Sequence, residues 1–566
     1  MTPDLVILGR VASLAGEAGL GWVDGIAIAG GRVTAAGARD AVAGLCGPRT
    51  ERWTLGGDVV AMPGITDAHL HLASGALEAL ELDLSDAQDR GEILARIRAA
   101  HERMLASGDT DGWLLGHGWS LDAMGGWPTA ADLDGVAPDR HAAFWSHDHH
   151  GRWLSGPAMR AAGIVRDRPD PEGGIIRRAD DGEPTGILHE HAVKLVAPAI
   201  PRPSDERLAL AVDRYAAELA AFGIVGVQDP GEMFDDPGLR WGPTFFRRLA
   251  EQDRLPLRVA ASIRSEQIAA AAERGFRSGE MADASVAADP LAERHAARYR
   301  GGWLKLFADG SLGSRSAALL EPYESESDGR RPVGGPSGML LDPIEVLADH
   351  ARRAAARGIA VQIHGIGDAA VRAALDILET LPLPAGGVRH RVEHAQLVDP
   401  LDQPRFAALG IVASMQASHL ATDAPLIDRA WGARGANAFP LRSIAAAGGA
   451  LALGTDAPVE SVDPWPGIAM AVTRRAPGWE SGAYHAEQSI DLDTAIRAAT
   501  VGPPASCGEV DRGRLVPGQR ADIVIVPAAA LAEVAGSGGT PEAVRPLATL
   551  IDGEVVYRAA SFDPGG

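Results

Sequence analysis

The sharpest chemical signal in the sequence is Pro63-Gly64-Ile65-Thr66-Asp67-Ala68-His69-Leu70-His71. Side chains two apart in an extended segment point to the same side, so His69 and His71 present two imidazoles together. Two neutral imidazoles at that separation suit a divalent transition metal. A His-x-His pair alone is weak, because it also occurs as ordinary core. The ends of other apolar runs strengthen it. His364 follows Val361-Gln362-Ile363, His394 follows Val392-Glu393, and Asp456 follows Leu453-Gly454-Thr455. Four histidines and an aspartate converging on one mouth are poorly explained by packing, since polar groups are rarely buried unpaired.

Lys305 is the second signal. It lies inside Gly302-Trp303-Leu304-Lys305-Leu306-Phe307, an apolar segment where an amine is costly to bury. All but two of the 53 basic residues are arginine; the exceptions are Lys194 and Lys305. Arginine stays charged, whereas a buried lysine can lose its proton. A neutral amine can add carbon dioxide and become a carbamate, an anionic two-oxygen ligand able to bridge two metals. The bland alternative is a snorkelling or ion-paired lysine.

These groups need a frame, and the middle of the chain repeats one: amphipathic helix, glycine, buried strand. Leu208, Val212, Tyr215, Leu219 and Phe222 share one helical face, with Ser204 as N-cap and Gly223 as the stop before Ile224-Val225-Gly226-Val227-Gln228. The same grammar returns before Ile359–Ile363, Ile411–Met415 and Ala450–Leu453. Apolar strands alternating with helices imply a parallel sheet covered on both faces. Eight candidate strands end near Thr66, Gln228, Ile263, Phe307, Ile363, Glu393, Met415 and Gly454, the number of a (β/α)₈ barrel, whose active sites lie at the C-terminal strand ends. The gap of about 150 residues between the first two is too long for a connection and must hold an insertion, at about 73–203. It contains Trp113, Trp119, Trp127, Trp145 and Trp153, which read mainly as subdomain core, with Trp119 assigned to a pocket wall. Residues 1–61 and 507–566 both read as short strands, implying a β-sandwich domain built from the two termini around a catalytic barrel at 62–506.

Composition narrows the function. The 566 residues carry a formal charge of −22, with 46% apolar and 23% charged residues, values of an ordinary globular chain. That charge, with no basic stripe, argues against nucleic-acid binding. No run of about 18 apolar residues and no basic, apolar leader occurs, so neither membrane insertion nor secretion is expected. With only Cys46 and Cys507, a disulfide framework is excluded and a cytoplasmic location is the default. A homodimer is the base-rate assembly.

Taken together, these motifs resemble the amidohydrolase superfamily of metal-dependent hydrolases, and within it the amidohydrolase-3 group that includes N-substituted formamide deformylase. The resemblance spans nearly the whole chain. It includes Leu121–Asp134, Gly173-Gly174, Pro184-Thr185-Gly186, Lys305–Ala317, His364-Gly365-Ile366-Gly367-Asp368, Glu393-His394-Ala395 and Gly513–Asp522. It implies a TIM-type barrel with a small terminal β-sandwich. It implies two divalent ions, zinc first, with manganese, iron or cobalt able to occupy similar sites. His69, His71 and Asp456 would hold the more buried ion, His364 and His394 the more exposed one, and carboxylated Lys305 would bridge them. A water or hydroxide between the metals would be the nucleophile, with Asp456 moving its proton to the leaving amine. His150, Glu190, Asp309 and Ser311 become candidate substrate or supporting groups; Glu190 has the alternative of a bridging carboxylate. The His147-Asp148-His149-His150 tract reads as pocket lining or a polar turn. The implied activity is hydrolysis of a C–N bond in a small molecule, most naturally an N-formyl or N-acyl amine. Deamination and ester or lactone hydrolysis use the same metals. A metal-free scaffold is the alternative from another class, and it would have no need to bury Lys305.

Overall fold

The computed structural model describes residues 2–231, 242–283, 292–324, 332–480, 482–536 and 544–564. Its centre is an eight-stranded, all-parallel sheet. The strands are β1 (Ile65–Asp67), β2 (Ile224–Asp229), β3 (Arg258–Arg264), β4 (Tyr299–Phe307), β5 (Val361–Gly365), β6 (Arg391–His394), β7 (Val412–Met415) and β8 (Ala450–Leu453), paired in sequence order. Every residue of β1, β2, β5, β6 and β7 is buried, because helices cover one face and the opposite strands the other. The helix Asp205–Ala221 starts at Ser204, whose side chain accepts from the Arg207 N–H, and ends before Gly223 at φ +87°, a left-handed turn that glycine takes without strain.

The seam between β1 and β8 brings the first and last strand ends together. The Ala68 N–H donates to the Leu453 carbonyl (3.0 Å) and the Asp456 N–H to the His69 carbonyl (2.7 Å). Asp67 clamps the seam, accepting from the Thr455 N–H (3.1 Å) and hydroxyl (2.7 Å) and from the His69 N–H (2.9 Å). Burial pushes its carboxyl up to about 7, so near neutral pH part of the population is protonated.

Strands from both termini form one continuous sheet. Val59–Pro63 pairs antiparallel with Ile523–Pro527, and the sheet splits where Glu51–Thr54 and Val59–Pro63 both join Leu5–Ala12. Two tight hairpins shape it. Gly30 and Gly31 have φ +58° and +78°, and Asp552 and Gly553 have φ +52° and +75°, the paired positive values that two-residue hairpins require. Cys46 and Cys507 are free thiols.

A buried ion network ties this sheet to the barrel floor. Arg258 of β3 donates to Asp522 (2.8 Å twice) and Asp552 (2.6 Å), and Arg512 reaches Asp522 at 3.0 Å. Burial alone would raise the Asp522 carboxyl, but the charges and hydrogen bonds of the two arginines outweigh it and hold it well below 3.8. A depressed carboxylate stabilises the fold above its unfolded pKa, and that stability is lost as pH falls through the folded value. Asp522→Asn is therefore expected to cost about 3–5 kcal/mol at pH 7, the penalty for breaking a buried pair. The gap to the parent protein should close steadily below about pH 4. Urea unfolding at both pH values checks this; a gap independent of pH would refute it.

Between β1 and β2 the insertion folds into a six-stranded sheet whose strands lie between Leu82 and Glu190. Trp119 and Trp153, each at most 2% exposed, pack with Phe144 and Leu133 in its own core, and Trp145 is equally buried. A hydrogen bond from His149 Nε2 to Glu78 (2.9 Å) fastens it to the helix Leu72–Glu78 that leaves His71. No helix among the described residues is long and apolar enough to cross a membrane.

Candidate metal centre

The barrel geometry places His69 and His71 just past β1 and Asp456 just past β8. His69 Nε2 lies 3.5 Å and His71 Nε2 3.6 Å from Asp456 Oδ1. One ligand atom from each of the three falls within 4.8 Å of the other two, and among the described residues no other His/Cys/Asp/Glu group meets that test. Ligand atoms around one tetrahedral ion with bonds of about 2.0–2.1 Å stand roughly 3.4 Å apart, so this spacing fits a metal.

Glu393 prepares His69. Its Oε2 meets His69 Nδ1 at 2.5 Å, and its Oε1 lies 2.7 Å from Arg391 Nε. A carboxylate on Nδ1 holds the proton there and leaves the Nε2 lone pair aimed at Asp456, the usual arrangement behind a metal-binding histidine. Burial would raise Glu393, but the Arg391 charge and the His69 hydrogen bond hold it far below the usual carboxylate range. Burial, followed by the Lys305 charge, lowers His69 to about 4, so the ring is neutral at pH 7 and able to coordinate.

His364 and His394 stand beside this group. Their ring centroids are 4.5 Å apart, and His394 is 5.1 Å from His69. His364 Nε2 faces the Gly310 carbonyl at 3.1 Å. The two rings are thus close to the His69–His71–Asp456 group without joining it. Lys305, 1% exposed, comes from β4; its Nζ has no hydrogen-bond partner among the described residues and sits 4.9 Å from the centroid of the Phe307 ring. Burial drives its amine from 10.5 down to about 7, so the neutral form is accessible near physiological pH. A readily deprotonated amine with no hydrogen-bond partner among the described residues, beside the His69–His71–Asp456 group, suits the expected bridging carbamate.

The backbone at the strand ends is strained. His394 (φ +68°), Ala395 (+43°) and Asp456 (+63°) occupy the left-handed region, which costs about 1–3 kcal/mol each and persists where function fixes the side chain.

These groups open into a cavity of about 940 Å³, lined from one side by the insertion. His150 and Glu190 face it as a pair 2.7 Å apart, and Ser316 donates to the other Glu190 oxygen at 2.5 Å. Glu190 is thus engaged with the insertion and the β4 loop. The Glu190 charge overcomes the effect of burial and raises His150 to about 9. Ser311 lines the cavity and donates to Asp148 (2.8 Å). Trp119 lines it with its indole N–H already given to the Phe144 carbonyl, leaving an apolar wall; half-buried Trp127 meets it edge-on at 6.5 Å. Of its two readings, substrate or supporting group, Asp309 has the surroundings of the second, with Oδ1 3.5 Å from His364 Nε2. It is fully buried, outside the cavity wall, and accepts the Ile366, Gly367 and Ala318 N–H groups at 2.8–3.0 Å. Its carboxylate organises the loop after β5 rather than a substrate.

Two groups beside the site, Glu393 and His419, are given no role by the sequence reading. Glu393 shares an inward face with Arg391 two residues earlier, a period-2 clue that its neighbour His394 obscured. His419 follows β7 after one short turn, and no motif marks it.

A family model described as the amidohydrolase family matches residues 55–557. YtcJ of Bacillus subtilis (strain 168) is 30% identical over 539 residues, covering 90% of this chain and 91% of that protein. N-substituted formamide deformylase of Arthrobacter pascens is 26% identical over 527 residues, covering 88% and 89%. The crystal structure of a metal-dependent hydrolase from Pyrococcus horikoshii OT3 shares the fold, with TM-score 0.72, 23% identity, and coverage of 94% of this chain and 99% of that one. Histidines and an aspartate at the strand ends of a parallel barrel and a family match along almost the full sequence agree: the chain belongs to the amidohydrolase family.

Proposed function

We propose that this metal-dependent hydrolase cleaves the C–N bond of a small-molecule amide, an N-formyl or N-acyl amine carrying an apolar or aromatic group. The observation that carries the reading is the His69–His71–Asp456 group beside Lys305, whose amine has no hydrogen-bond partner among the described residues, at the base of a cavity far larger than a formamide unit. His69, His71 and Asp456 would hold one divalent ion and His364 and His394 a second, with Lys305 taking up carbon dioxide to bridge them. Bound there, zinc or a similar ion supplies hydroxide at neutral pH and polarises the scissile carbonyl.

The chain does the rest. Glu393 keeps the His69 proton on Nδ1. Asp456 accepts the proton of the attacking water at its free oxygen and returns it to the amine nitrogen, without which an amine leaves poorly. His150, fixed by Glu190, and Ser311, fixed by Asp148, present polar groups to the substrate's polar end. Trp119 and Trp127 receive its apolar end, with the Arg177 guanidinium 4.3 Å over the Trp127 ring stiffening that wall. In this reading residues 1–61 with 507–566 form the terminal β-domain and 62–506 the catalytic barrel.

The test is a turnover panel on metal-loaded protein: N-formyl and N-acyl derivatives of benzylamine and butylamine, the matching esters, and aminated heterocycles. Amides should give the highest kcat/KM, benzyl above butyl. Trp127→Ala should raise KM for the benzyl substrates several-fold and leave the butyl ones nearly unchanged, since a stacked ring contributes about 0.5–1.5 kcal/mol. Turnover confined to the heterocycles or the esters would overturn the amide reading.

A further inference from the structure

The two oxygens of Asp456 have different surroundings. Oδ1 faces His69 Nε2 (3.5 Å) and His71 Nε2 (3.6 Å), the metal-ligand atoms. Oδ2 faces away from that pair, with His394 Nδ1 at 3.9 Å and His419 Nε2 at 3.6 Å. His419 Nε2 is buried and has no hydrogen-bond partner among the described residues, although the ring lines the cavity. A buried ring nitrogen without a partner is costly, and Asp456 Oδ2 is the polar atom beside it, 3.6 Å away. The histidine is held from behind. It closes the short turn Ala417–His419, its N–H donates to the Gln416 carbonyl (3.2 Å), and its own carbonyl accepts from the Thr422 hydroxyl (3.1 Å) at the start of the helix Leu420–Trp431.

We infer that His419 is a positioning residue that holds Oδ2 of Asp456, keeping Oδ1 for the metal and Oδ2 for the travelling proton. The inference rests on the hydrolase reading above. Asp456 sits at φ +63°, so its side-chain direction needs outside support; His419 supplies it from the turn after β7, one of the strand ends that offer no metal ligand. A tilt of the carboxylate would misplace the oxygen that returns the proton to the leaving group.

The role is visible in leaving groups. An amine or a methoxide needs a returned proton; p-nitrophenolate, a weak base, does not. In metal-loaded protein, His419→Ala should lower kcat on N-benzylformamide about 10- to 100-fold with KM little changed, the usual cost of losing a group behind the reacting residue. The same variant should keep p-nitrophenyl acetate hydrolysis within about threefold. His419→Asn, which retains an N–H donor, should recover part of the amide rate, and His419→Phe should not. Metal content by mass spectrometry should match the parent protein in all three. Equal losses on both leaving groups would make His419 merely structural, and an unchanged amide rate or a loss of metal would equally overturn the role. A parent protein that turns over esters but no amide refutes the amide reading alone, and the comparison of methyl and p-nitrophenyl esters then decides on His419. A parent protein that turns over neither removes both.

Discussion

Replacing Lys305 by methionine is expected to destroy activity while making the metal-free protein more stable. The two effects share one cause. The amine is buried without a hydrogen-bond partner among the described residues, so the fold pays to keep it there. Methionine fills nearly the same volume and removes that cost. A rise in Tm measured in chelator is therefore expected, on the order of the 1–3 kcal/mol that an unsatisfied buried polar group costs. Turnover should fall by about 10³-fold or more, the kinetic equivalent of the several kcal/mol that metal-assisted charge stabilisation supplies. Metal content should fall from two ions to one or none, and added bicarbonate should raise metal uptake by the parent protein but not by the variant. A variant that keeps both ions and full turnover would make Lys305 an ordinary buried lysine.

Glu393→Gln carries the second large effect, this time on stability and metal affinity together. Glu393 is fully buried and answers both Arg391 and His69. Arg391 keeps its bonds to the Ala68 carbonyl (2.6 Å), to Ser414 (2.5 Å) and to Gln228, but loses its only close carboxylate among the described residues. A buried charge left without its partner costs about 3–5 kcal/mol. The glutamine amide can also donate to His69 Nδ1, which moves the ring proton to Nε2 and blocks the lone pair a metal needs. Metal affinity should drop about 10- to 100-fold. Denaturant titration and metal titration read the two effects separately. Parent-like values in both would remove Glu393 from the site.

The barrel was legible because its strands are buried on both faces. A strand such as Ile224–Asp229 reads as an apolar run between a glycine stop and a polar end, and its observed limit lies one residue from the expected Gln228. The candidate metal ligands were legible for the same reason: a histidine or aspartate directly after such a run has few roles besides a site. The insertion resisted sequence reading. Its strands are short, its sheet mixes parallel pairing (Leu114–Trp119 with Ala142–Ser146) and antiparallel pairing (Gly151–Leu154 with Pro184–Glu190), and no single period marks them. Nearness in sequence to Lys305 left Asp309 open between a substrate and a supporting group, because its partners are backbone N–H groups up to 58 residues away. Glu393 and His419 face partners 324 and 37 residues distant in sequence, and only the barrel brings these pairs together.

The most direct measurement is the number of metal ions per chain, by mass spectrometry on protein purified without chelator and then supplied with zinc or manganese. Two ions, lost stepwise in chelator with activity following, are the predicted result. A protein that binds none after loading with either metal would contradict the hydrolase mechanism and leave the barrel as a scaffold.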